Sequence, residues 1–296
     1  ALIGDDDLPF ENAGILKTTG FELQAKWSDK LANGFRYSVG VALSDDKAKV
    51  VSYPSNPTNK IGDGVLYKGY TVGDIWGYVT GGILQEGDFD GVGANGKPLY
   101  HGPYFKGGQA YPGYIWYQDL DHDGVITTGL NTVDDPGDRK VIGNNAPRYR
   151  YNITANFQYK GFDLDLMFQG VGKRDYWLSS TSSYWGNGAG SWEVYNNSWT
   201  PERTDAKFPM YGSGTGSYPQ TGYMLDAAYI KLKQVILGYT FPRALINKIG
   251  LEKLRLNLAA YNLFTISDMP KYYDADYLSD AYPPKRTFSV GIQVGF

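Results

Sequence analysis

The run Tyr149–Gly170, YRYNITANFQYKGFDLDLMFQG, decides the fold. Tyr149, Tyr151, Ile153, Ala155, Phe157 and Tyr159 fall on alternate positions, with Arg150, Asn152, Thr154, Asn156 and Gln158 between them. After Lys160-Gly161 the alternation resumes, with Phe162, Leu164, Leu166 and Phe168 set against Asp163 and Asp165. A period of two over this length is the mark of a strand with one apolar and one polar face. Two such runs joined by two residues read as a hairpin.

The same pattern recurs along the chain. FELQAKW sets Phe21, Leu23, Ala25 and Trp27 on one face, and FRYSVGVAL does so with Phe35, Tyr37, Val39, Val41 and Leu43. LRLNLAA repeats it with Leu254, Leu256 and Leu258, and the terminal TFSVGIQVGF with Phe288, Val290, Ile292, Val294 and Phe296. In IKLKQVILGYTF the apolar phase passes from Ile230 and Leu232 to Val235, Leu237, Tyr239 and Phe241. That slip predicts a β-bulge at Lys233-Gln234. Seven strands are predicted, near 14–28, 34–46, 148–159, 161–172, 227–241, 252–265 and 285–296. Several exceed ten residues, against about five or six in a typical globular strand. Ten residues at ~3.3 Å each, tilted near 45°, rise roughly 23 Å, close to the apolar band of a membrane barrel.

The connections alternate in length. Residues 29–33, 160–161 and 242–251 are short, whereas 47–147, 173–226 and 266–284 are long. Outer-membrane barrels pair short periplasmic turns with long extracellular loops, and a sandwich has no reason to do so. An odd count of seven would leave open edges that lipid cannot satisfy, so the expectation is part of a larger barrel.

Composition agrees. The chain has 296 residues, 26 Tyr, 7 Trp, 13 Phe and 38 Gly, fitting all-β structure with aromatic belts. A net charge of -3 gives no basic face for nucleic acid. The lack of cysteine removes disulfides and thiolate metal sites. No apolar run is long enough for a transmembrane helix, which leaves a barrel open. The start, ALIGDDDLPF, has no basic n-region or apolar h-region, so the expectation is a mature chain or a fragment of one.

Several colinear blocks then resemble one family, the SusC-like (RagA-like) TonB-dependent transporters of Bacteroidetes outer membranes. They are NAGILKTTGFELQAKW, VGDIWGYVTGGILQ, YQDLDHDGVIT, DRKVIGNNAPRYRYNITANFQYKGFDLDLMFQG, SWTPERTDAKFPM, AAYIKLKQVILGYTFP, LRLNLAAYNLFT and YPPKRTFSVGIQVGF. The resemblance covers nearly the whole chain. It implies an antiparallel transmembrane β-barrel of about 22 strands, of which residues 1–296 would be the C-terminal part. It also implies bacterial outer-membrane localisation, import of oligosaccharides or peptides, a SusD-like surface lipoprotein as lid, and energy from the TonB system acting on a plug. No plug or TonB-box segment is evident in these residues. The C-terminal Phe296 resembles the signal read by the outer-membrane assembly machinery.

Two candidate sites stand out. In DLDHDGVIT, Asp119, Asp121 and Asp123 occupy positions 1, 3 and 5 of a calcium loop, with Gly124 at 6, the Val125 carbonyl at 7 and Thr127 at 9. Position 12 is Leu130 instead of Glu. The resembled family has an Asp-Arg pair soon after position 9, and here TGLNTVDDPG stands as an insertion before Asp138-Arg139, so the resemblance implies Asp138 as the closing ligand, with Asp134 or Asp135 as substitutes. Ca²⁺ is the expected ion, stapling the long loop, and a solvated turn is the competing reading. In the loop 173–226, Trp185 and Trp192 are candidate sugar-stacking residues among several aromatics that could equally fill a loop core. The residues offer no HExxH, no GxSxG and no triad, so no enzyme is expected. Two other classes remain open at this stage. One is a secreted calcium-stabilised β-sandwich binding module or adhesin. The other is a β-architecture glycoside hydrolase, which would need two carboxylates roughly 5 to 9.5 Å apart on facing elements.

Overall fold

The computed structural model describes residues 14–177, 192–271, 273–278 and 284–296. Its seven long strands are β1 (Ile15–Lys30), β2 (Arg36–Ser52), β3 (Arg148–Tyr159), β4 (Phe162–Lys173), β5 (Tyr229–Thr240), β6 (Lys253–Ser267) and β7 (Thr287–Gly295). They form one sheet in chain order, with antiparallel pairing from β2 through β7. Each lies within a few residues of its sequence-based range, except that β2 runs on to Ser52.

The register fixes which face each side chain takes. Phe157 stands opposite Tyr37 on β2 and Leu164 on β4, and Leu164 opposite Leu237 on β5. Leu237 in turn faces Leu258, and Leu258 faces Val290, so one apolar row crosses six strands. Side chains such as Trp27, Leu258, Val290 and Ile292 along this face are exposed. A soluble sandwich would bury that face under a second sheet. Among the described residues the only other sheets are two-stranded, so the sandwich alternative is not what the chain forms.

The β-bulge falls where the phase slip places it. Pairing with both neighbours skips Lys233, between Leu232 and Gln234 on β5. The extra residue keeps Val235, Leu237 and Tyr239 on the apolar side while Lys233 leaves the ladder. Opposite it, Asn262 takes a left-handed conformation (φ 54°), which Asn tolerates better than most residues.

The chain divides into two compact units. One, residues 19–46, 146–176 and 225–296, holds most of the sheet. Its short connections, between β1 and β2, β3 and β4, and β5 and β6, all lie at one end of the sheet; the last carries α2 (Arg243–Ile246). The other unit is residues 1–18, 47–145 and 177–224. On the sequence alone its segments read as long loops. The structure differs. Tyr78, Ile115, Tyr117 and Ile126 form a buried cluster with Phe105 and Tyr223 packed against it. The Tyr117 hydroxyl donates to the Thr215 carbonyl (2.7 Å) and accepts from Gln220 Nε2 (3.1 Å), so the buried phenol is satisfied. Burial pushes its pKa well above the ordinary phenol value. The strands here are two to six residues long, such as Asp74–Tyr78 paired with Arg139–Asn144, too short to leave a period in the sequence.

Candidate functional site

The aspartate loop is built by its own backbone. Asp119 accepts from the N–H groups of His122 (2.6 Å) and Gly124 (2.9 Å), and Asp123 accepts from Val125 (2.8 Å). His122 (φ 62°) and Gly124 (φ 85°) make the tight reversal. Asp138, the residue before Arg139–Asn144, reaches back across the insertion. Its carboxylate is 0% exposed and accepts from Leu120 N–H (2.8 Å) and Thr127 N–H (2.7 Å).

One oxygen from each of Asp119, Asp121 and Asp138 lies within 4.8 Å of the others. Three carboxylates this close form a hard-oxygen cluster whose mutual repulsion a divalent cation would relieve. Asp123 does not join the group; its carboxylate caps the Val125 N–H instead. The Thr127 carbonyl accepts from the Asp138 N–H (3.2 Å), and its hydroxyl from Gly129 N–H (3.2 Å). Desolvation disfavours ionisation of Asp119, but the Gly124 and His122 N–H donors outweigh it and hold its pKa below the ordinary value. Desolvation raises the pKa of Asp121, with the Asp138 and Asp123 charges adding to it.

Trp192 opens the short helix α1 (Trp192–Asn196), is 77% exposed, and meets Tyr195 edge-to-face at 5.8 Å. Trp185 lies outside the described residues. Trp199, from the same aromatic-rich loop, is buried, with its indole N–H on Gln85 Oε1 (2.9 Å), and fills the loop unit's core.

The polar face of the sheet carries several hydrogen-bonded groups. Ser38 donates to Asn156 (2.9 Å), whose amide donates to Asp165. Asp163 pairs with Arg255 at 2.5 Å over Gly238, where a Cβ would lie 2.4 Å from the guanidinium. Asp163 and Asp165 are thus each held by a partner from another strand. Nearer the long-connection end, Asp45 is buried against the Arg148 guanidinium, with both contacts at 2.5 Å.

Sequence reading missed one cluster. Residues 268–271 and 273–278, after β6, lie as a strap on the start of β5, with Met269, Tyr273 and Ala275 buried. Lys231, 1% exposed, donates to both oxygens of Asp274 at 2.8 Å and contacts Asp276 at 3.3 Å. Asp276 also accepts from Lys233 (2.8 Å) and the Tyr229 hydroxyl (2.6 Å). Desolvation works against that carboxylate, but Lys233, Tyr229 and the Lys231 charge outweigh it and hold its pKa below the ordinary range. The strap walls a cavity of about 740 Å³ lined by Glu22, Arg150, Gln169, Arg174, Tyr229 and Asp276. The one signal in the sequence was two lysines two apart in a strand, 231 and 233, facing a run with two aspartates.

Comparison with known proteins follows the same lines. No family model matches the chain. It is 28% identical to TonB-dependent receptor P3 of Formosa agariphila over 97% of its length and 29% of that protein's. It is 25% identical to TonB-dependent receptor P26 of the same organism, over 97% of the chain and 30% of the relative. The chain thus spans less than a third of the length of the curated relatives it matches. Among solved structures it matches the RagAB peptide transporter with a TM-score of 0.68 at 18% identity, covering 97% of this chain and 30% of that one. The RagAB peptide importer in its closed-closed state gives 0.65 at 17% identity, again over 97% and 30%. The resemblance read from the sequence blocks is borne out. The fold is all-β, an antiparallel sheet of the RagA type, and the named relatives are receptors and transporters.

Proposed function

We infer that residues 1–296 form the C-terminal part of the barrel of an outer-membrane active transporter. It imports oligosaccharides or peptides, works with a SusD-like surface lipoprotein, and draws energy through TonB. The observation that carries this reading is the two-faced sheet. An exposed apolar face several strands wide suits hydrocarbon, and the hydrogen-bonded polar face behind it suits a wet lumen. The likeness to TonB-dependent receptors along nearly the whole chain supports the same reading. The test is uptake by whole cells carrying the full-length gene. Labelled oligopeptides and oligosaccharides are supplied with and without a protonophore. Energy-dependent accumulation of one of the two, lost on deleting the gene, is expected. Accumulation that ignores both the protonophore and the deletion would overturn the reading.

The aspartate loop supports a second element, a Ca²⁺ held by Asp119, Asp121 and Asp138 that staples the loop. Its support is the convergence of three carboxylates across an insertion. Calorimetric titration of the full-length transporter with Ca²⁺ should show a site lost in the Asp119→Ala, Asp121→Ala double variant. Equal heats in the two proteins would sink the metal.

A further inference from the structure

The short-connection end of the sheet differs in chemistry from the rest of the chain. Residues 29–36, 160–161 and 242–253 carry six basic side chains, Lys30, Arg36, Lys160, Arg243, Lys248 and Lys253. They carry two acidic ones, Asp29 and Glu252, while the whole chain is net negative. Among the described residues none of the six forms an ion pair.

Aromatic rings stand at the same end on the apolar face, while Arg36, opposite Gln158, and Lys253, next to apolar Leu254, take the polar face. Phe35 stacks with Tyr37 (6.1 Å) and Phe157 (6.2 Å) and meets Tyr159 edge-on (6.2 Å). Phe162 packs on Tyr239 (4.4 Å) and Tyr239 on Phe241 (4.9 Å). Lys160 Nζ lies 5.1 Å from the centre of the Tyr159 ring. The connection after Phe241 then folds as α2 and a further short turn, Asn247–Ile249, ended by Gly250 (φ 75°). Ile246 is buried, while Leu245 (57% exposed) and Ile249 (68% exposed) face outward in the same turn as Arg243 and Lys248.

Amphipathic rings, outward aliphatic side chains and uncompensated cations at one level are the features that seat a protein in a headgroup layer. We propose that this rim, and the turn 242–251 above all, docks on the phosphodiester headgroups of anionic phospholipid. The aliphatic pair enters the acyl boundary and the cations meet the phosphates. A soluble protein partner would not need the aromatic row to continue into the exposed apolar face of β3–β5, whereas a bilayer does. The proposal rests on the membrane reading above.

Native mass spectrometry of the full-length transporter tests it, after delipidation in detergent and titration with phosphatidylglycerol or phosphatidylcholine. Phosphatidylglycerol should be retained over phosphatidylcholine by about fivefold or more. Combining Lys160→Gln, Arg243→Gln and Lys248→Gln should bring the ratio to about one. Leu245→Ser with Ile249→Ser should weaken both lipids alike. Equal retention of the two lipids by the unaltered protein would overturn the proposal, as would a preference indifferent to the three charge changes. Glycerol phosphate displacing the lipid at equal concentration would assign the site to soluble phosphates instead. A mobility shift on boiling in dodecyl sulfate reports barrel folding separately. Its loss would bring down the membrane reading itself, while its presence without lipid preference would sink the docking surface alone.

Discussion

Replacing Asp274 with alanine is expected to destabilise the strap by roughly 3–5 kcal/mol, the usual cost of stranding one partner of a buried ion pair. Lys231 is 1% exposed, and Asp274 supplies both of its 2.8 Å contacts. Without that carboxylate the ammonium keeps only Asp276, at 3.3 Å. Asp276 is shared with Lys233 and Tyr229, so it cannot move to Lys231 without stranding them. The Asp276 N–H loses its acceptor on Asp274 (2.9 Å) at the same time. Limited proteolysis of the full-length protein should then cut within 268–284 much faster than in the unaltered protein. Lys231→Met combined with Asp274→Leu should recover most of the loss, because an apolar pair of similar volume carries no stranded charge. Proteolysis of Asp274→Ala at the unaltered rate would refute the strap's dependence on the clasp.

The clasp also has a pH dependence. The folded-state pKa of Asp276 is depressed, since Lys233, Tyr229 and Lys231 outweigh desolvation. A depressed carboxylate stabilises the strap fully above its unfolded pKa, about 3.9, and the contribution is lost as pH falls through the lower folded value. Protease sensitivity of the strap should therefore be flat from neutral pH to about 5 and rise only under stronger acid.

How much of this was legible follows from the length scale of each feature. The wall was readable because strands of nine to seventeen residues carry long alternating stretches, and the bulge because it breaks that pattern at one point. The loop unit was not. Its strands are two to six residues long and its partners far apart, as with Tyr117 and Thr215, 98 residues distant. The strap left only a faint signal for the same reason. Asp274 lies 43 residues from Lys231, in a stretch with no periodicity, and only the fold shows that they meet. The aspartate loop lies between these cases. Asp119 and Asp121 announce themselves by spacing, whereas Asp138 could be named only through the resembled family's Asp-Arg pair, once the twelfth position of the loop lacked its ligand. Asp123 has the right spacing, but its carboxylate stays outside the three-carboxylate group, a matter of loop geometry that spacing alone does not show.

Asp138 carries the other large expected effect, and it holds with or without an ion. Its side chain is fully buried and anchors two backbone N–H groups, Leu120 on entry to the loop and Thr127 on exit, across 18 and 11 residues. Each is a charge-assisted bond of about 1.5–3 kcal/mol, and each donor left bare adds a desolvation cost. Asp138→Ala in calcium-free buffer should therefore destabilise the loop unit by roughly 3–5 kcal/mol. Urea unfolding of the full-length protein, followed by hydrogen exchange at Leu120 and Thr127, would measure it. Asp138→Asn keeps the shape and one acceptor oxygen, so it should cost about half as much, because one of the two N–H groups loses its acceptor. The two variants also separate scaffold from metal. If Ca²⁺ binds, Asp138→Asn should lose calcium affinity far more than it loses stability, because the amide removes a charge from the three-carboxylate group while still holding part of the loop. If exchange at Leu120 and Thr127 is unchanged in Asp138→Ala, the carboxylate does not hold the loop, and the geometry has no energetic weight.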